Sequence, residues 1–121
     1  MEKAKGIDVS HWQGRIDFDK VKSQGYSFVM INAGYGKYIS QKDENFEKNY
    51  AAARKAGLNI GTYWYSYALT EADALAEAKT FLEAVKGKMF EYPLAFDIED
   101  ASQSELPNAA ISNYGMWQYT S

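Results

Sequence analysis

The sequence predicts an α/β fold: a parallel sheet of about five strands with three helices outside it. Three observations predict it. Dense apolar runs of strand length alternate with amphipathic stretches of helix length. Each helical stretch closes on a glycine, at Gly25, Gly57 and Gly87. Those glycines stand 32 and 30 residues apart, about the length of one βα unit. The 121 residues suit one domain, assigned as 1–121. They are too few for a complete eight-unit β/α barrel, which takes roughly 200 residues or more.

The elements follow in order. Lys5 to Val9 is a short apolar run and the first expected strand. Asp17 to Gln24 reads as a helix, with Phe18 and Val21 three apart and Gly25 as the stop. Tyr26 to Ala33 (YSFVMINA) is dense enough in apolar residues for a strand covered on both faces. Glu44 to Ala56 is helical, with Phe46, Tyr50 and Ala53 on one stripe. Leu58 to Tyr67 (LNIGTYWYSY) is the third strand. Thr70 to Lys86 is the clearest helix. Thr70 and Asp73 have capping-box spacing, and Leu75, Ala78, Phe81, Leu82 and Val85 form its apolar face. Tyr92 to Ile98 (YPLAFDI) is the fourth strand. Ala101 to Asn113, polar and holding Pro107, reads as a loop, and Tyr114 to Thr120 as a last strand.

Composition narrows the function classes. The absence of cysteine excludes disulfides and thiolate metal sites, and a single histidine, His11, excludes a multi-histidine zinc site. A net charge of −3 without a basic run argues against a nucleic-acid partner. No window approaches the roughly 18 apolar residues of a membrane span, so no membrane partner is expected. Met1 to Lys5 carries charge and no apolar stretch, so no signal peptide is expected there. Aromatics make up 16% of the chain, including ten tyrosines and three tryptophans. A flat apolar face with a polar tip suits carbohydrate or peptide surfaces, and equally a tyrosine-rich core and rim.

The candidate chemistry centres on Asp97 and Glu99. Side chains two apart on a strand face the same way, so the two carboxylates share a face if the strand persists. Paired carboxylates are the usual equipment of glycoside hydrolysis. Two other acid pairs have this spacing, Asp17/Asp19 and Glu71/Asp73, but both lie at helix starts, where acids complement the helix dipole. Asp97/Glu99 instead ends an apolar run, at the C-terminal end of a parallel strand, where barrel enzymes carry catalytic groups. Asp8 ends the first strand on the same rim, followed by His11 and Trp12. An acid buried among apolar neighbours would be functional or would hold a turn, and both readings stand. Tyr63, Tyr65 and Tyr67 alternate with Trp64 on the third strand, and either line a sugar-binding face or pack in a core. Trp117 and Tyr119 read the same way on the last strand. Gly34 and Gly36 flank Tyr35 and lack the third glycine of a dinucleotide fingerprint; they let the loop turn and bring Tyr35 forward.

Five ordered motifs carry a resemblance: GIDVSHWQG at 6–14, FVMINAGYG at 28–36, GTYWYSYA at 61–68, FDIED at 96–100 and MWQYTS at 116–121. Together they resemble glycoside hydrolase family 25, the Chalaropsis-type lysozymes or N-acetylmuramidases. The resemblance implies a truncated barrel-like β/α sheet that cleaves the β-1,4 bond after N-acetylmuramic acid in bacterial peptidoglycan, outside the cell or at the wall. It implies Glu99 as general acid, Asp97 as the carboxylate that stabilises or assists, and Asp8 as a third acid at the site floor. His11, Tyr35, Tyr63, Tyr65 and Trp117 fall in stretches that contact substrate. No metal or organic cofactor is expected, since paired carboxylates suffice. Relative to the family the chain is shortened between Asp100 and Tyr114 and after Ser121. That leaves a non-catalytic peptidoglycan-binding module, or an inactive fragment that self-associates to complete its sheet, as the alternatives.

Overall fold

The computed structural model describes residues 5–9, 16–97 and 117–119. The loop expected over Ala101–Asn113 lies outside them, as do Glu99 and His11. Five parallel strands run in sequence order: β1 (Gly6–Val9), β2 (Phe28–Tyr35), β3 (Asn59–Tyr65), β4 (Ala95–Asp97) and β5 (Trp117–Tyr119). Three helices lie between them: α1 (Phe18–Ser23), α2 (Phe46–Ala56) and α3 (Glu71–Ala84). A 3₁₀ turn at Ile39–Gln41, not expected from the sequence, completes the described elements.

The helix ends follow their local chemistry. Asp17 caps α1 by accepting from the Lys20 amide at 3.1 Å. Thr70 caps α3 by accepting from the Asp73 amide at 3.1 Å, while the Asp73 carboxylate reaches out to Lys37 at 3.1 Å. Gly57 ends α2 in the left-handed conformation, φ 81°, where a side chain would be strained.

Sequential strand order with right-handed crossovers sends every helix to one side of the sheet. The burial confirms it. Val29, Ile31, Ile60, Trp64 and Phe96 share one face with no exposure, and Phe46 of α2 and Phe81 of α3 join the same cluster. Phe81 stacks on Trp64 with ring centroids 5.5 Å apart and lies 6.0 Å from Phe96. Each such ring stabilises the fold by roughly 1.5–3 kcal/mol relative to exposure.

The buried stripe of α3 differs from the expected one. Ala74, Glu77, Ala78, Thr80, Phe81 and Ala84 are buried, whereas Leu75 and Leu82 are only partly so. Alanines let the helix axis approach the sheet, and the two leucines fill the flanks. Among the described residues no helix is long and apolar enough to cross a membrane.

Candidate active site

With the helices on one side, the opposite face of the sheet is defined by register. Partners in a parallel ladder share a face, and alternate residues along a strand return to it. Asp8 pairs with Met30, and Met30 with Gly61. Asn32 pairs with Tyr63, and Tyr63 with Ala95. Tyr65 pairs with both Tyr35 and Asp97. Gly61, Tyr63 and Tyr65 alternate along β3, so all of these residues lie on the inner face. Trp117 enters through its backbone, as the strand partner of Ala95.

Tyr35 reaches that face through a bulge. The β2–β3 register jumps between Asn32 and Gly34, leaving Ala33 as the extra residue. Without it, simple alternation from Asn32 would turn Tyr35 toward the helices; the bulge re-aims it. Gly34 bridges to Lys42, and the Asp43 amide donates to the Ala33 carbonyl at 2.8 Å. The loop after β2 is thereby folded back, and Asp43 is buried beside the sheet with its carboxylate accepting from the Asn45 amide at 2.8 Å.

Tyr63 sits at the centre of this arrangement and is 9% exposed. Burial pushes its phenol up to about 12. The Asn32 side chain, hydrogen-bonded to it, opposes the shift, and Asp8, Asp97 and Asp43 are near enough to disfavour a phenolate further. A phenol that keeps its proton is a fixed donor among three carboxylates.

Asp97 ends β4 only 4% exposed, the burial expected of an acid held in a site. Asp8 does not follow its expectation. It is exposed: β1 is an outer strand with one neighbour among the described residues, whereas Tyr63 and Asp97, on the same face, stand on strands flanked on both sides. Tyr67 also departs: β3 ends at Tyr65, so Tyr67 belongs to the following loop. It is 59% exposed and still joins the rim, its ring edge-on to Tyr35 at 5.7 Å and tilted on Tyr65 at 4.8 Å.

The structure therefore brings together Asp8, Asp97, Tyr35, Tyr63 and Tyr65 of the expected site. It adds Asn32 and Asp43, and Tyr67 reaches the rim from the loop after β3 and not from the strand. Asn32 was legible as the inward partner of Tyr63 once register was known; Asp43 carried no local signal. Among the described residues no three His, Cys, Asp or Glu side chains are grouped to hold a metal ion.

A singly wound sheet with helices on one face, and acids and tyrosines on the other, has the half-barrel layout of β/α-barrel enzymes. The chain belongs to glycosyl hydrolases family 25, whose model matches residues 7–114. It is 36% identical over 95 residues to the autolytic lysozyme of Clostridium acetobutylicum, covering 78% of this chain and 28% of that one. To lysozyme M1 of Streptomyces globisporus it is 47% identical over 62 residues, covering 51% and 20%. The chain thus spans about a quarter of the length of these curated relatives. A family 25 glycosyl hydrolase from Bacillus anthracis superposes with a TM-score of 0.80 over 98% of this chain and 60% of that one. At 22% identity that is a likeness of fold.

Proposed function

We propose that the protein is a muramidase, hydrolysing the β-1,4 bond between N-acetylmuramic acid and N-acetylglucosamine in bacterial peptidoglycan. The observation that carries this reading is Asp97, buried on the inner face at the end of β4 near Tyr63, in a chain matched to the family over residues 7–114. Residues 1–121 act as one muramidase-like domain.

In this reading Glu99 protonates the glycosidic oxygen as the C1–O bond breaks. Asp97 orients the substrate's acetamido group, whose oxygen closes on C1. Water then opens that intermediate, with Glu99 taking the proton back, and configuration is retained. Asp8 lies on the floor. Tyr63 offers a neutral donor, while Tyr35, Tyr65, His11 and Trp117 contact the sugars. The substrate places the action outside the cell or in the wall, after secretion or phage-type release.

A turbidity assay on purified cell walls tests the reading. The parent clears walls and Glu99→Gln does not; equal rates would defeat the enzymatic reading. The exposed rim of Tyr35 (43%) and Tyr67 (59%) supports a second reading, a peptidoglycan-binding module. Pull-down on insoluble walls by an inactive parent would favour it. The outer strands β1 and β5 each have one neighbour among the described residues, so pairing of two copies along an edge belongs to the proposal. Sedimentation showing monomer alone would remove that part.

A further inference from the structure

Glu77 is the most deeply buried acid among the described residues, 2% exposed on α3, and the chemistry proposed above does not use it. Burying a carboxylate is costly unless its oxygens are engaged. Both are. One accepts from the Ser66 hydroxyl at 2.6 Å, and the other from the Tyr67 amide at 2.8 Å. The Ser66 hydroxyl oxygen in turn accepts from the Ala68 amide at 3.3 Å. The Ser66 amide donates to the Asp97 carbonyl at 3.0 Å. One helix carboxylate therefore grips the turn after β3, and that turn touches two parts of the site. Through Ser66 it meets the end of β4, where Asp97 stands. Through Tyr67 it sets the ring that packs on Tyr35 and Tyr65.

We propose that Glu77 is a positioning residue of this site, fixing the height of Asp97 through Ser66 and the tyrosine rim through Tyr67. This rests on the muramidase reading for its catalytic consequence, though not for its geometric one. A plain loop anchor would need only to satisfy the Ser66 hydroxyl and the Tyr67 amide. Glu77 instead indexes a helix, a strand end and an aromatic edge to one another, and misplacing a reacting group by about 1 Å costs roughly a hundredfold in rate.

The test uses Glu77→Leu, which removes both acceptors, and Ser66→Ala, which cuts the link without changing charge. Glu77→Gln is the conservative variant: its amide oxygen still accepts from Tyr67 and its NH₂ donates to the Ser66 oxygen. Phe81→Leu, on the same helix, is the control for a loosened core. Glu77→Leu and Ser66→Ala are expected to lower kcat on peptidoglycan about ten- to a hundredfold. The half-saturating wall concentration should move less, Glu77→Gln should recover most of the rate, and Phe81→Leu should lose stability with little loss of kcat. Carbon-13 spectra of the Asp97 carboxyl and the Tyr35 and Tyr67 rings give a second readout that needs no turnover. These signals should shift in Ser66→Ala and stay in place in Phe81→Leu. Unmoved signals in Ser66→Ala would overturn the proposal whatever the parent's activity. Moved signals in an inactive parent would keep Glu77 as a positioning residue and reject the muramidase reading instead.

Discussion

Replacing Gly34 by alanine places a methyl group 2.6 Å from Trp64 Cζ3 and 2.7 Å from the Gln41 carbonyl oxygen. Neither neighbour yields easily. Trp64 has no exposure and is stacked on Phe81, with its ring nitrogen donating to the Gly36 carbonyl at 2.6 Å. Gln41 is held by the 3₁₀ turn. Gly34 also has φ 152°, a conformation open to glycine and strained for other residues. The backbone strain costs about 1–3 kcal/mol. Overpacking a filled site costs about 1–3 kcal/mol more. The combined loss is about 2–6 kcal/mol by the same estimates.

Gly25 supplies the control. It has φ 95° and nothing within 4 Å of an added Cβ, so Gly25→Ala meets only the backbone penalty of about 1–2 kcal/mol. Urea unfolding of the two variants and the parent, fitted with a common slope, separates the steric part from the conformational part. Gly34→Ala should be the less stable variant by about 1–4 kcal/mol, the difference between those estimates. Equal losses, or a larger loss in Gly25→Ala, would refute the claim that the bulge closes against Trp64 and Gln41.

Three further outcomes follow from single groups. Tyr63→Phe should leave the phenolate absorbance step near about pH 10 unchanged, since burial holds this phenol up to about 12; a smaller step would mean Tyr63 ionises like an exposed tyrosine. Burial likewise raises the Glu77 carboxyl, against the hydrogen bonds from Ser66 and Tyr67. The folded chain then binds this proton more tightly than the unfolded one, so the contribution is full below the ordinary value of 4.5 and is lost as pH rises through the folded value. The Tm of the parent minus that of Glu77→Gln should therefore be larger at acid than at neutral pH, and a difference that grows with pH would contradict the assigned direction. Phe81→Ala empties a site between Trp64 and Phe96 and should cost about 3–5 kcal/mol in chemical unfolding; a loss below about 1 kcal/mol would mean the ring is not core.

The sheet was largely legible because its signals are local. Apolar runs and closing glycines lie within one unit, and Gly25, Gly57 and Gly87 all adopt positive φ. The site was legible only where a residue's face follows from its own strand, as for Tyr63, Tyr65 and Asp97. Tyr35 needed the bulge at Ala33, a property of the β2–β3 pair and not of either strand alone. Asp43 needed the Gly34–Lys42 bridge, which no periodicity announces. Glu77 was hidden for a different reason. A glutamate in a helix reads as a solvent-facing residue, and its burial depends on the Ser66 hydroxyl and the Tyr67 amide, donors in a turn that precedes the helix. The expected burial of Asp8 failed because β1 is an outer strand, and strand order is not written in the apolar neighbours Ile7 and Val9 that suggested it.

The central claim is the proposal that Glu99 and Asp97 cleave the bond after N-acetylmuramic acid. Analysis of the reducing ends of fragments released from purified peptidoglycan tests it most directly, with the parent, Glu99→Gln and Asp97→Asn compared side by side. The parent should release fragments ending in reducing N-acetylmuramic acid, and both variants should be slower by about a hundredfold or more. Fragments ending in reducing N-acetylglucosamine, or a parent no faster than Glu99→Gln, would contradict it.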